Sequence, residues 1–472
     1  MTSKALSDHL LGLLGPNGWL TKDIERYQAD WLNRRSPQIL GVARPATTEE
    51  VSAVLRLAHD ANVPVTPQGG NTGLCMGSVP ENAGAIILSL SRMRRIVSVD
   101  PQDFAVTVEA GVVLADLNGE LENHGLMLPM HLGSEGSAQI GGLIATNAGG
   151  SHALRYGMMQ DLVLGLEAVL PDGSIWNGNR SLLKDNAGYQ LRRLFCGSEG
   201  TLGVVTKAVL RLYPKPRQRA AALIALEDFQ AAVGCGAGLR REFGEFISAL
   251  EFFTETGLDL VLKNISDLSF PLETRSPVYM LVELSSSSAS VNLMAMLETA
   301  LGEAYEQELI LDGVIASNEA QRLRFWRLRE EMPEGQRLEG AQIKHDIAVP
   351  PSRLDAFVSR TCAGLKGLMP GLRINLFGHL GDGNIHFNLS PPPGVVEFGD
   401  KGDGLSHFIY SQTTAAGGSI AAEHGLGRTK LQHADTLRSP VERRLMRLIK
   451  TAIDPKDVMN PGVIVRRNLD QE

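Results

Sequence analysis

Between Leu132 and Gly150 the chain sets six glycines among small and hydroxyl-bearing residues, and the same stretch also carries Ile140, Leu143 and Ile144. A flexible linker has no use for three large apolar side chains. The stretch therefore reads as buried and closely packed, with a backbone that a flat, extended ligand can approach without Cβ atoms in the way. An earlier run, Pro67-Gln68-Gly69-Gly70-Asn71-Thr72-Gly73, follows a predicted strand from Val63 to Thr66. Closely spaced glycines let successive N–H groups converge there on an anion. The run lacks both the Lys-Ser/Thr ending of a Walker loop and the glycine spacing of a Rossmann turn, and a Gly-rich turn serves equally well just to reverse the chain. Glycine is in excess overall, at 50 of 472 residues, against a usual share of roughly 7%.

A second constraint is Phe377-Gly378-His379-Leu380-Gly381-Asp382-Gly383-Asn384-Ile385-His386-Phe387-Asn388. Asp-Gly between apolar runs suggests a two-residue hairpin turn, which puts His379 directly across from His386. Such pairs hold their Cβ atoms roughly 4.5 to 5.5 Å apart, close enough for both imidazoles to hold one ion. Asn388 shares their face. With Glu423 of Ala422-Glu423-His424-Gly425 brought in by the fold, this gives a His/His/Glu set with an open position, the form of a catalytic zinc site. Two exposed histidines beside a plain turn are the competing interpretation, because the inference depends on turn type.

Composition fits a globular chain of two or three domains: 43% apolar, 21% charged, and a formal charge of −8 with no basic block. That spread argues against a nucleic-acid surface and leaves room for a locally cationic pocket and small anionic ligands. Cys75, Cys196, Cys235 and Cys362 are far apart and fit neither a disulfide framework nor a zinc ribbon. Met1 to Leu20 lacks the apolar core of a signal peptide, and no segment reaches the roughly 18 unbroken apolar residues of a membrane span. A soluble, cytoplasmic protein is expected, with peripheral membrane contact left open.

Thr47-x-x-Glu50 predicts a helix over 48–61, and apolar runs predict strands at 85–90, 104–110, 163–170 and from Gly200 to near Leu212. Pro214 and Pro216 bracket a domain boundary, after which strands such as 278–284 alternate with helices such as 318–332. A helix over 352–366 leads into the histidine hairpin. Ser439-x-x-Glu442 with Pro440 opens a last helix, predicted to turn Val441, Leu445, Leu448 and Ala452 inward.

In chain order, Pro67 to Gly73, the Leu132–Gly150 run, Gly197-Ser198-Glu199-Gly200-Thr201-Leu202-Gly203, the hairpin, Ala422-Glu423-His424-Gly425 and Asn460-Pro461-Gly462 resemble a known set of motifs. They are those of the flavin-linked D-2-hydroxy-acid dehydrogenases, the D-lactate and D-2-hydroxyglutarate group of the vanillyl-alcohol-oxidase/p-cresol-methylhydroxylase superfamily. The resemblance implies an α+β chain. It expects a helical segment at 1–35, a p-cresol-methylhydroxylase-type FAD-binding domain at 36–215, a substrate and metal domain at 216–440 with an antiparallel sheet flanked by helices, and a return to the FAD domain at 441–472.

By that resemblance Pro67, Gly69, Gly70, Asn71, Thr72 and Gly73 cradle the FAD pyrophosphate, and Leu74 also belongs to the cofactor site. Ser134, Gly136, Ile140, Gly141, Gly142, Ala145, Thr146, Asn147, Gly149 and Gly150 pass along the cofactor. Glu199, Gly200, Gly203, Val204 and Asn460 complete its site. Relatives with covalently attached FAD commonly carry His where Asn71 stands, so non-covalent FAD is expected.

In the second domain the resemblance implies that His379, His386 and Glu423 hold a divalent metal, zinc first, and that Arg329, Lys344, Asn388 and His424 bind substrate. His424 is the implied general base, removing the hydroxyl proton as the Cα hydrogen passes to the flavin as hydride. Neighbours on a flat strand point oppositely, so Glu423 and His424 share a site only if Gly425 and Gly427 mark a bend. Pro333 stands four residues after Arg329, where hydroxyglutarate-type relatives tend to place a hydroxyl, and it donates no hydrogen bond. D-lactate and D-malate therefore stay open beside D-2-hydroxyglutarate. The expected partners are a small anionic 2-hydroxy acid and an electron acceptor such as an electron-transfer flavoprotein or quinone, with a homodimer left open. Alternatives are an oxidase that uses oxygen, a metal-dependent hydrolase, and a flavin-binding subunit without turnover.

Overall fold

The structure, a computed structural model, describes residues 2–466 and divides into two compact units. Met1–Gly150, Tyr156–Lys215 and Glu423–Glu472 form the first, Ser151–Arg155 and Pro216–Ala422 the second. The chain leaves the first unit inside the Pro214/Pro216 bracket. It returns at Glu423, earlier than residue 441, because the segment after Ala422 is already bonded there: the Glu199 carboxylate accepts from the N–H groups of Leu426 and Gly427, both at 2.9 Å, and the Arg428 N–H donates to the Cys75 carbonyl at 2.9 Å.

In the first unit, helix Ser3–Leu14 buries Leu6, Leu10 and Leu14. Helix Thr48–Ala61 forms where its signals lie, with the Thr47 hydroxyl accepting from the Glu50 N–H and Val51, Val54, Leu55 and Ala58 buried. Strands β1 (Trp19–Leu20), β2 (Gly41–Ala43), β3 (Val65–Gln68) and β4 (Ile86–Ser89) make a sheet ordered β1-β2-β4-β3. A second sheet, antiparallel throughout, takes the order β5-β6-β10-β8-β9, from β5 (Ile96–Asp100), β6 (Ala105–Glu109), β8 (Val163–Val169), β9 (Ile175–Gly178) and β10 (Val204–Arg211). The short β7 (Leu126–Met127) pairs with β11 (Tyr213–Pro214). The C-terminal return extends the open edge of β3, where the Val65 N–H donates to the Val458 carbonyl at 2.7 Å and the Asn460 N–H to the Val65 carbonyl at 2.8 Å.

Helix Pro440–Ile453 starts where its cap predicts, with the Ser439 hydroxyl accepting from the Glu442 N–H. Its orientation is the reverse of the expectation: Val441, Leu445, Leu448 and Ala452 are exposed, and Lys450 is the buried residue. The reason is polar. The Lys450 ammonium donates to the Thr201 carbonyl at 2.9 Å, Asp454 at 2.6 Å and the Met459 carbonyl at 2.7 Å, and a buried ammonium given three acceptors fixes which side turns in.

The second unit is built on one antiparallel seven-stranded sheet ordered β15-β12-β14-β13-β17-β18-β16. Its strands are β12 (Gln218–Leu226), β13 (Ile247–Thr254), β14 (Val278–Ser286), β15 (Asp312–Ile315), β16 (Ile343–Ala348), β17 (Arg373–His379) and β18 (Asn384–Ser390). Against one face pack helices Phe229–Phe243 and Leu354–Leu368, with Phe229 on Phe252 and Phe357 on Phe387. The other face is apolar over β12, β14 and β13, where Leu223, Leu281, Phe253 and Tyr279 share a core with Leu258, Val261, Phe325, Leu328 and Met332. Towards β17, β18 and β16 that same face turns polar.

Candidate functional site

The polar half of this sheet face falls into rows fixed by strand register. One row runs Ala348, Asn384, His379, Glu251; the next Asp346, His386, Phe377, Phe253; the third Lys344, Asn388, Asn375. His379 and His386 are therefore diagonal neighbours and not a direct pair, as a two-residue turn would require. The loop runs from Leu380 to Gly383, because Leu380 is buried, the Gly381 carbonyl accepts from Arg240 at 2.7 Å, and the Gly381 N–H reaches the Leu250 carbonyl at 3.3 Å. Asp382 still shapes the turn, its carboxylate accepting from the Asn384 N–H at 3.1 Å. A register change of two residues keeps every side chain on its face, so both rings still meet, with centroids 5.9 Å apart.

His379 Nδ1 lies 2.6 Å from Glu251 Oε1. A carboxylate only accepts, so the proton sits on Nδ1, and Nε2 is the nitrogen with which His379 would hold a metal. Glu251 Oε2 is 3.0 Å from the Arg329 guanidinium, both residues being buried. Arg329 stacks over Phe377 at 4.9 Å, and Phe377 lies 5.0 Å from the His386 ring. Asp346 Oδ1 is 4.0 Å from His386 Nδ1 and accepts from the Asn384 amide at 2.9 Å. His345, on the opposite face, is a structural histidine that donates to the Phe387 carbonyl at 2.8 Å and accepts from Ser406 at 3.0 Å. Lys344 is half-buried, and burial lowers its pKa below the usual lysine range against the opposing pull of Glu334. Pro333 sits in the first turn of helix Met332–Arg337, where a missing N–H costs nothing.

Glu251 and Asp346 are the site residues that reading the sequence missed. Each had a signal. Glu251 is the lone carboxylate in Ile247-Ser248-Ala249-Leu250-Glu251-Phe252-Phe253, and a charge inside a buried strand needs a partner; Asp346 alternates with Lys344 on a strand beside the hairpin.

In the first unit the two glycine-rich runs lie against each other. A Cβ on Gly69 would stand 3.5 Å from Gly142, and one on Gly70 would collide with the Ser137 carbonyl. Among the described residues the N–H groups of Gly69 to Gly73 donate to no protein acceptor, and the buried Gln139 Oε1 beside them has no partner. The Asn71 side chain is engaged, donating to the Ala29 carbonyl at 2.7 Å and accepting from Ser78 at 2.8 Å. Ile140–Thr146 is a short helix closed by Asn147 in the left-handed conformation. The Asn460 side chain is used up by protein: it donates to the carbonyls of Gly77 and Glu199 at 2.8 and 2.7 Å and accepts from Arg428 at 2.8 Å and Thr66 at 3.3 Å. It clips four segments together. Glu423 Oε1 accepts from the Gly150 N–H at 2.5 Å, tying together two points where the chain crosses between units. The bend that Glu423 and His424 require is present, with Gly425 at φ 72° and Gly427 at φ 51°.

Residues 39–179 match the FAD binding domain family, and residues 215–464 match the C-terminal domain of FAD linked oxidases. A D-2-hydroxyglutarate dehydrogenase of Stutzerimonas stutzeri (strain A1501) is 34% identical over 468 residues, 98% of this chain and 99% of that protein. The mitochondrial D-2-hydroxyglutarate dehydrogenase of Arabidopsis thaliana is 37% identical over 448 residues, 94% of this chain and 78% of that protein. The chain belongs to the FAD-linked D-2-hydroxy-acid dehydrogenases. Its fold is also that of p-cresol methylhydroxylase, whose substrate-bound crystal structure superposes with a TM-score of 0.76 at 16% identity, covering 99% of this chain and 98% of that one.

This dehydrogenase is an FAD-dependent oxidoreductase, and the undonated N–H groups of Gly69 to Gly73 suit the anionic part of that cofactor. The donor set on the sheet face, two imidazoles with Nδ1 of one fixed by a carboxylate, also fits a divalent metal. No helix among the described residues is long and apolar enough to cross a membrane.

Proposed function

We propose that this dehydrogenase oxidises a D-2-hydroxy acid to the 2-oxo acid, with D-2-hydroxyglutarate the first candidate substrate. The observation that carries the reading is one sheet face on which Lys344 and Asn388 adjoin the two imidazoles, with the Arg329 guanidinium held against the same strands. Its relatives named for D-2-hydroxyglutarate support the choice of substrate. FAD, bound without a covalent link, supplies the hydride acceptor, and a divalent ion on His379, His386 and Glu423 supplies polarisation of the hydroxyl. His424 removes the hydroxyl proton. Arg329 and Lys344 neutralise substrate carboxylates, the Arg by a planar fork and the Lys as a mobile point charge, and Asn388 orients the bound acid. Oxidation proceeds as hydride leaves Cα while the hydroxyl proton passes to His424, so the alcohol loses two electrons and two hydrogens.

Electrons then leave to an electron-transfer flavoprotein or a quinone, and the protein works in the cytoplasm; fractionation tests the second point. The decisive experiment is anaerobic addition of D-2-hydroxyglutarate, D-lactate and D-malate, and their L-enantiomers, to purified protein. Bleaching of flavin absorbance by a D-acid alone, abolished by chelator, is expected. A flavin that no D-acid reduces defeats the proposal, and peroxide formed at turnover rate in air would replace the carrier with oxygen.

A further inference from the structure

Glu251 has no part in the proposal above, yet it joins two of its residues. One oxygen meets His379 Nδ1 at 2.6 Å, and the other, which accepts no hydrogen bond among the described residues, lies 3.0 Å from the Arg329 guanidinium as an ion pair, with all three residues buried and Glu251 itself 1% exposed. Burying a carboxylate this deeply in a strand is costly unless it is paired, and here both partners belong to the proposed chemistry. The surroundings leave the group little freedom: Leu281 of β14 stands opposite it on one side and His379 on the other, and Leu250 and Phe252, its chain neighbours, are buried in the opposite face. Arg329 is similarly confined, its Nε buried with no hydrogen-bond partner and its guanidinium pressed on Phe377.

We infer that Glu251 is a positioning residue that sets two things at once: the tautomer and basicity of His379 as a metal ligand, and the direction in which Arg329 presents its charge. A carboxylate on the far nitrogen of a ligating histidine locks the ring and raises its basicity, and losing such a partner typically weakens metal binding about 10- to 100-fold. The shared carboxylate also couples the two sites, because an Arg329 drawn toward a substrate carboxylate loosens its hold on Oε2 and leaves Glu251 to His379 alone. The inference rests on the metal-binding reading of His379 and His386.

The test uses FAD-loaded, chelator-stripped protein titrated with Co²⁺, read by the visible bands of the ion in difference against the flavin. Wild type, Glu251→Gln and Glu251→Asp are compared. Glu251→Gln keeps size and an acceptor for Nδ1 but removes the charge; it is expected to weaken Co²⁺ binding by at least about tenfold and to raise KM more than it lowers kcat. Glu251→Asp restores a carboxylate and is expected to recover part of the affinity. Equal Co²⁺ affinity and unchanged bands in wild type and Glu251→Gln would overturn the role of Glu251 while leaving the metal site intact. Absence of Co²⁺ binding by wild type overturns both the metal reading and this inference. Should Glu251→Gln not retain flavin, Glu251→Asp alone decides: a shortened carboxylate that leaves both affinity and bands unchanged also overturns the role.

Discussion

Phe377 stands directly opposite His386 across the β17–β18 ladder, ring centroids 5.0 Å apart, and the Arg329 guanidinium covers the ring at 4.9 Å. An aromatic wall is thus interposed between a metal-ligand candidate and a substrate-binding candidate. Phe377 is 2% exposed and belongs to the apolar core of its unit. Truncating it to Ala is expected to cost about 3 to 5 kcal/mol, and to free both His386 and Arg329. Phe377→Leu keeps most of the volume and is expected to cost less than about 1.5 kcal/mol, while still removing the cation–π contact. Urea unfolding measures the first effect, and the KM of Phe377→Leu the second.

Asn71 lies at φ 57° with its amide bonded at both ends, so it shapes the loop and offers flavin no nucleophile. Acid precipitation is expected to release all the flavin into the supernatant. Asn71→Ala loses both bonds and places an ordinary side chain in the left-handed region, at about 1 to 2 kcal/mol. FAD affinity, read by fluorescence titration of stripped protein, should fall about tenfold.

Much of this architecture is written locally. The Thr47 cap and the spacing of Val51, Val54, Leu55 and Ala58 determine a helix without reference to the rest of the chain, and the side-chain alternation of β17 and β18 puts His379 and His386 on one face for the expected two-residue loop and the observed four-residue loop alike. The turn itself is different, because Leu380 and Gly381 are drawn out of the ladder by Arg240 and Leu250, residues far away in sequence. Helix Pro440–Ile453 shows the same limit. Periodicity reveals a stripe of Val441, Leu445, Leu448 and Ala452, but which side turns inward was decided by Thr201 and Met459, whose carbonyls take the Lys450 ammonium. Leu445→Ala is accordingly expected to change stability by no more than about 0.5 kcal/mol, against about 2 to 5 kcal/mol for the buried Leu365→Ala, compared by thermal melts.

Burial lowers the Lys344 pKa below the ordinary lysine value of 10.5. Below that lowered pKa the ammonium is charged and attracts a carboxylate; above it the attraction is gone. KM is therefore expected to rise with pH earlier than an exposed lysine allows. Lys344→Arg should carry the rise out of range, and Lys344→Met should raise KM at neutral pH about 10-fold or more and remove this limb. A KM profile of Lys344→Met that keeps the wild-type rise assigns it to another group.

Glu339 ties helix Glu255–Asn264 to β17, accepting from Lys263 at 2.7 Å, the Asn264 amide at 3.0 Å and Arg373 at 3.1 Å. Its pKa is lowered from 4.5 to about 2, chiefly by the Lys263 hydrogen bond and then that of Asn264. A depressed carboxylate binds its proton less readily when folded, so its contribution is fully present above 4.5 and is lost as pH falls towards about 2. Lys263 is 64% exposed and water screens that pair, so the expected contribution is about 1 kcal/mol and not the full value of the shift. Glu339→Gln should lower the unfolding free energy obtained from urea titration near neutral pH by that amount, and the gap to wild type should close progressively through the acid window. A gap that stays constant down to about pH 2 would show that packing and neutral hydrogen bonds, and not the charge, hold Glu339 to its partners.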